Sequence, residues 1–204
     1  MLAKEPVPGR AKTRLTPPCD PVEAAAIAEA ALADTLEAAM ASGADRVVVA
    51  LDGAPGPWCP PGAVLVGQGD GDLSARLATA WQATRGPALQ IGMDTPHISA
   101  SALGDAMAQI GPAPTDAVLG LAEDGGWWAI GFGRPHPEAF AGIATSRADT
   151  GARQLERLTN LGLATALLPV ERDVDTWEDA LAVATVCPHG AFAAAVRTAC
   201  EAAR

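Results

Sequence analysis

Apolar runs long enough for strands buried on both faces recur along this chain, and helical patterns separate them. Arg46-Val47-Val48-Val49-Ala50-Leu51 is nearly continuous in apolar character, which marks a strand covered by helices on both sides. Ala63-Val64-Leu65-Val66 and Ala88-Leu89-Gln90-Ile91-Gly92-Met93 read the same way. Ala117-Val118-Leu119-Gly120-Leu121 follows, and then, after a Gly-Gly break, Trp127-Trp128-Ala129-Ile130-Gly131-Phe132. The close spacing of these last two predicts an antiparallel excursion. The alternation as a whole predicts an α/β fold with a mostly parallel sheet and helices on both faces. Only Met1-Leu2-Ala3 stands ahead of the Pro6-Val7-Pro8-Gly9 loop. Either the first strand is very short here or the natural chain begins upstream.

The helices are rich in alanine, which raises propensity and blurs periodicity. Asp20-Pro21-Val22-Glu23 combines a capping residue, a proline at the first helical position and a capping-box glutamate. The helix it opens carries Ile27, Leu32, Leu36 and Met40 and is expected to stop near Gly43. Leu73, Leu77 and Trp81 mark a second helix, Leu103, Met107 and Ile110 a third, and Leu155, Leu158 and Leu161 a fourth. Thr176-Trp177-Glu178-Asp179 is a further capping box. With 204 residues, nearly half of them apolar, and no linker or repeat, the expectation is one domain over 1–204.

Charge narrows the partners. The net charge is −10 and the basic residues are scattered, which argues against a nucleic-acid surface, since that needs clustered Lys and Arg. No apolar run approaches the roughly 20 residues of a membrane span, and no signal-peptide core opens the chain, so the expected location is the cytoplasm. Cys19, Cys59, Cys187 and Cys200 form no C-x-x-C pair and read as reduced, structural thiols. Oligomeric state is not legible.

Against this acidic background Arg10, Lys12 and Arg14 stand out. They follow a loop stiffened by Pro6, Pro8 and Gly9 at the end of a strand, where open α/β sheets bind ligands. In an extended loop alternate side chains face the same way, so the three cations could converge on one polyphosphate. Lys12-Thr13 is not a P-loop, because Ala11 stands where glycine should precede the lysine. Taken alone, this loop reads equally well as a charged surface turn.

Three acidic stretches complete the set. Asp94, in Ile91-Gly92-Met93-Asp94-Thr95-Pro96-His97, sits just past a strand and could hold a hard cation such as Mg²⁺ or Mn²⁺. A turn cap is the plainer role for Asp94, and His97 reads as a loop residue. Glu123-Asp124-Gly125-Gly126-Trp127-Trp128 places a carboxylate beside aromatic faces, which suits a hydroxylated acceptor, or else forms an ordinary hairpin turn. Asp173 and Asp175 leave a strand on the same face, so either could be a second metal ligand, although helix capping accounts for part of this segment.

Taken in order, Lys4-x-Pro6-x-Pro8-Gly9-Arg10-x-Lys12-Thr13-Arg14-Leu15, Asp72-Leu73-x-x-Arg76-Leu77, Met93-Asp94-Thr95-Pro96, Asp124-Gly125-Gly126 and Asp173-Val174-Asp175-Thr176 resemble an uncharacterised bacterial family of Rossmann-like GT-A fold. This is the fold of the nucleotide-diphospho-sugar transferases. The family includes glycosyltransferases of arsenosugar-biosynthesis type, and it is more distantly similar to the molybdenum cofactor and phospholactate guanylyltransferases. The resemblance runs from about Ala3 to Asp179. It implies that Pro8, Gly9, Arg10, Lys12 and Arg14 contact donor phosphates, with Lys12 and Arg14 assisting catalysis, and that Asp72 and Arg76 lie near the nucleotide. It further implies that Asp94 holds Mg²⁺ or Mn²⁺ with Asp173 or Asp175, and that Asp124, Gly125, Gly126 and Trp127 face the acceptor, with Asp124 as a candidate base. The implied activity is glycosyl transfer from a nucleotide sugar to a small-molecule hydroxyl. The alternative is nucleotidyl transfer from a nucleoside triphosphate to a phosphorylated or phosphonylated small molecule. Trp127-Trp128 departs from the family, which carries smaller aromatics there.

Overall fold

The computed structural model describes residues 1–111 and 114–202. Two sheets form. β1 (Leu2–Lys4), β2 (Val48–Asp52) and β3 (Val64–Gly67) run parallel in that order. β4 (Ala88–Ile91), β5 (Ala117–Ala122), β6 (Trp127–Phe132) and β7 (Thr165–Glu171) make the second sheet in the order β4-β6-β5-β7. β6 is antiparallel to both β4 and β5, while β5 and β7 are parallel. Thus β4, β5 and β7 point the same way and β6 is the expected antiparallel excursion. The first strand is only three residues long.

Helices cover both faces of the second sheet, as the apolar runs demanded. Ala117 and Leu119 of β5, with Ile130 and Phe132 of β6, pack against Leu77 and Trp81 of α2 (Leu73–Gln82) and Leu158 of α4 (Thr150–Asn160). Val118 and Ala129 face the opposite way, onto Leu103 and Ala106 of α3 (Ala100–Ala108) and Ala39 of α1 (Pro21–Ala41). A third core joins Ile27 and Ala31 of α1 to Val183 of α5 (Trp177–Val186) and to Phe192 and Val196 of α6 (Ala191–Ala202).

Several expectations need correction. Residues 63–66 are not a strand buried on both faces. β3 pairs only with β2, so as the outer strand it alternates half-buried with exposed residues, and Leu65 faces out. Met40 lies on the last turn of α1 and stays exposed beside Gly62, unlike the fully buried Leu32 and Leu36. Ile110 and Leu161 both lie just past the ends of their helices. Among the described residues no helix is long and apolar enough to cross a membrane, and all four cysteines are free thiols.

Both capping boxes form. Asp20 accepts from Val22 N (2.7 Å) and Glu23 N (2.8 Å), and the Glu23 carboxylate accepts from Asp20 N (2.8 Å). Asp20→Ala is expected to cost about 1 kcal/mol. Urea midpoints compared at constant slope measure it, and an unchanged midpoint would mean that the box contributes nothing.

Candidate active site

The loop after β1 does not extend; it folds back on itself. Arg10 N and Ala11 N both donate to Val7 O (3.0 Å each), Lys12 adopts the left-handed conformation (φ 45°), and Thr13–Leu15 form a 3₁₀ turn. The extended loop expected here is not formed, and Arg10 is exposed and outside the ion pairs made by its neighbours. Lys12 and Arg14 do converge, but on a carboxylate of this chain. Lys12 Nζ stands 2.9 Å from Asp175 Oδ1, and Arg14 Nη1 3.4 Å from Asp175 Oδ2. Leu15, buried in the α1 core, anchors the turn.

Lys12 Nζ also lies 3.0 Å from Asp94 Oδ1. That oxygen is buried, and the Lys12 ammonium is the group that stands against it. The Lys12 side chain is only 11% exposed. Burial would lower its pKa, but Asp94 and Asp175 outweigh burial and hold the ammonium above its ordinary value.

Asp94 follows β4, Asp124 follows β5, and Asp173 and Asp175 follow β7, so the three parallel strands deliver four carboxylates to one sheet edge. A backbone bond from Val174 N to Asp94 O (2.9 Å) clamps the first segment to the last. Thr176 and Asp179 make the cap of α5 between themselves (Thr176 N to Asp179 Oδ2, 2.9 Å), leaving the Asp175 carboxylate for Lys12. Burial would raise the Asp175 pKa, yet Lys12 and Arg14 hold it down. Asp173 has no such cation. Burial, then repulsion from Asp124, Asp175 and Asp94, pushes its pKa up to about 6.

Folded Asp173 keeps its proton to about pH 6, whereas an unfolded aspartate releases it near 4. The folded state holds more protons between those values, so stability falls as pH rises across that window. In the absence of divalent cations, Asp173→Asn is expected to stabilise the protein by about 1–2 kcal/mol at pH 7, discounted for partial solvation, and not at all at pH 3. A lower urea midpoint for the variant at pH 7 would refute the strain assigned to Asp173.

The donor set fits a hard divalent cation. Its ligands would be carboxylate oxygens, one of them buried and one carboxylate strained by its own kind. Asp94, Asp173 and Asp175 are the residues that would hold it. Among the described residues, however, no three acidic, histidine or cysteine side chains already stand at metal-binding geometry. Asp94 and Asp175 are gathered on the Lys12 ammonium instead.

The remaining candidates separate. Asp72 caps α2 by accepting from Ala75 N (2.9 Å). Arg76 donates to Gln68 Oε1 (3.1 Å) and approaches Asp52 Oδ2 (3.5 Å), while Gln68 Nε2 donates to Ala3 O (2.6 Å) and Ala50 O (3.0 Å). These residues bind α2 to the ends of β1 and β2, and neither Asp72 nor Arg76 pairs with the carboxylate cluster. Asp124 Oδ1 accepts from Gly126 N (2.7 Å) across the hairpin turn. As neighbours on β6 the two tryptophans face opposite ways and enter different cores. Trp127 packs towards Phe140 (ring centroids 6.4 Å apart), whereas Trp128 is buried and donates to Pro169 O (3.0 Å). A Cβ at Gly120 would overlap the Trp128 indole, so glycine makes room for it. Trp128 is therefore core, and no part of an acceptor surface.

Sequence reasoning missed Asp52 and Gln68, and underrated His97. Asp52 ends an apolar run just as Asp94 does, so the same signal was present. Gln68 carried none. The His97 side chain is 8% exposed and pairs through Nε2 with Glu171 Oε2 (3.1 Å), bracing the Asp94 segment against the end of β7.

The fold matches several solved structures. A provisionally described nucleotide-diphospho-sugar transferase from Desulfovibrio desulfuricans G20 superposes with a TM-score of 0.82 at 25% identity, covering 100% of this chain and 94% of that one. Rv0371c from Mycobacterium tuberculosis H37Rv matches with a TM-score of 0.52 at 22% identity, over 75% of this chain and 82% of that one. Another structure of Rv0371c, in complex with manganese, matches with the same score and identity, over 75% of this chain and 85% of that one. At that identity the Rv0371c structures speak for the fold alone. No curated protein is significantly similar in sequence. The fold is that of the nucleotide-diphospho-sugar transferases, mixed α/β with helices on both faces. A bacterial family described as "Uncharacterized protein conserved in bacteria (DUF2064)" matches residues 25–147, a span that includes Asp94 and Asp124 but neither Lys12 nor Asp175. The chain belongs to that family.

Proposed function

We propose that this chain is a metal-dependent glycosyltransferase that takes a nucleotide-sugar donor and a small-molecule hydroxyl acceptor. The observation that carries the proposal is the meeting of Lys12, Asp94, Asp173 and Asp175, drawn from three distant segments, at one sheet edge. The similarity to the Desulfovibrio protein over the whole chain supports the same reading. Asp94, with Asp173 or Asp175, would hold Mg²⁺ or Mn²⁺, which when bound supplies positive charge against a departing nucleoside diphosphate. Lys12 and Arg14 add fixed positive charge on the donor side, where a leaving group accumulates negative charge. Pro8, Gly9 and Arg10 lie on the same loop and extend the donor surface. Asp124 faces Asp173 from the hairpin and is the candidate base for the acceptor hydroxyl, with Gly125, Gly126 and Trp127 beside it. Asp72, at the cap of α2, and Arg76, beside Gln68 and Asp52, lie near the nucleotide in this reading. All 204 residues act as one domain, and the cytoplasm is the proposed setting.

Nucleotidyl transfer is the second reading. One observation favours it: exposed Arg10 and largely exposed Arg14 offer more cationic charge than a diphosphate needs. The leaving group separates the two. The protein, Mn²⁺ and a panel of nucleotide sugars and nucleoside triphosphates are first screened by thermal shift, because a ligand of the native state raises the melting point. The ligand that shifts is then assayed for turnover. Release of nucleoside diphosphate from a nucleotide sugar supports glycosyl transfer, and release of pyrophosphate from a triphosphate moves the assignment to nucleotidyl transfer. Absence of any shift across the panel counts against both.

A further inference from the structure

Lys12 stands where the cation of the proposed reaction would have to be. Its ammonium bridges Asp94 Oδ1 (3.0 Å) and Asp175 Oδ1 (2.9 Å), two oxygens the metal needs, and it is almost wholly enclosed there. One pair of carboxylate oxygens cannot serve both a buried ammonium and a divalent ion at coordination distance. We infer that Lys12 is a built-in counter-cation that competes with the divalent metal for Asp94 and Asp175, and that metal entry expels its side chain towards the donor phosphates. This inference rests on the metal-site reading above and adds to it an exchange of cations.

Three observations support the exchange. The carboxylates are not preset in metal-binding geometry, as expected if they are gathered around a different cation. The buried Asp94 Oδ1 faces Nζ at 3.0 Å, so the ammonium occupies the side of this oxygen that a metal would approach. The Lys12 backbone is held by the bond from Leu15 N to Lys12 O (2.9 Å), and Nζ rides on a flexible four-carbon stem, so side-chain rotation can carry Nζ out without unfolding the loop. The exchange also resolves a conflict of roles. Held between Asp94 and Asp175, Lys12 cannot reach a phosphate, and released from them it can. Metal and donor should therefore bind with positive coupling.

The chain has only two lysines, Lys4 and Lys12, and Lys4 is exposed, which makes an internal control. Wild-type protein is pulsed with acetic anhydride, with and without saturating Mn²⁺, and acetylation at each lysine is read by mass spectrometry. Without metal, Lys12 is expected to be protected relative to Lys4, and with metal the Lys12-to-Lys4 ratio is expected to rise about fivefold or more, as an exposed lysine replaces a mostly occluded one. In parallel, electron paramagnetic resonance of free Mn²⁺ measures metal affinity without nucleotide. K12M is expected to bind Mn²⁺ about tenfold more tightly than wild type, because the internal competitor is gone. R14M, which removes a largely exposed cation, should change affinity by no more than roughly twofold. If Mn²⁺ binds while Lys12 stays protected, the exchange is overturned and the metal site stands. Equal gains in K12M and R14M would likewise reduce Lys12 to general electrostatics and overturn the exchange. If no variant binds Mn²⁺ even with nucleotide present, the metal-site reading fails and the exchange fails with it.

Discussion

Asp94→Asn is expected to abolish metal-dependent donor binding and to lower transfer by about 10³-fold, the several kcal/mol that a bound cation contributes to a developing anion. The substitution keeps size and shape and removes one negative oxygen from the pair that flanks Lys12. The backbone bond from Val174 N to Asp94 O does not depend on the side chain, so the clamp between the two segments should survive. The variant should therefore fold, with Lys12 held by Asp175 alone. The check is a Mn²⁺-dependent thermal shift with the donor, run beside far-ultraviolet circular dichroism. A variant with the wild-type shift would remove Asp94 from the site.

Gly125→Ala should be the most damaging small substitution in the molecule. Gly125 sits at φ +89°, where any side chain is strained, and a Cβ there would overlap the carbonyl of Ala148. The obstacle is backbone, so no rotamer change relieves it. On the other side of the same contact Gly151 N donates to Gly125 O (2.8 Å), and a Cβ at Gly151 would overlap Gly126 O. The β5–β6 turn and the start of α4 thus meet backbone to backbone. Strain at positive φ and forced overpacking together are expected to cost about 3 kcal/mol or more. Chemical denaturation measures this, and a loss below roughly 1 kcal/mol would show that the α4 end yields freely. Because Asp124 is adjacent, activity should fall as well, but the stability loss is the diagnostic.

Much of the fold was legible because local chemistry dictates it. Strands buried on both faces cannot alternate polar residues, so β2, β4 and β5 announced themselves, and both capping boxes follow from residue type and spacing alone. Asp94 and Lys12 were legible as candidates by their position at strand ends. What could not be read was set by distant contact. The loop at 10–14 looks extended in sequence, but it folds back, and its lysine pairs with two carboxylates 82 and 163 positions downstream. β3 resembles β2 in composition and differs only in having no neighbour on one side. Arg76 is marked by its motif, whereas Gln68, which accepts its hydrogen bond, is marked by none.

The joining of Lys12 to Asp175 across 163 positions of chain has a consequence in time. At about 5–20 residues per second, a ribosome needs roughly 8–33 s to make the partner after the lysine has been made. During that interval Asp94 has neither Asp173 nor Asp175 beside it, so the growing polypeptide offers cellular manganese or magnesium no shared carboxylate cage. Asp94 and Asp175 come together only when nearly all of the protein has been synthesised, and the cation between them is one the protein carries itself.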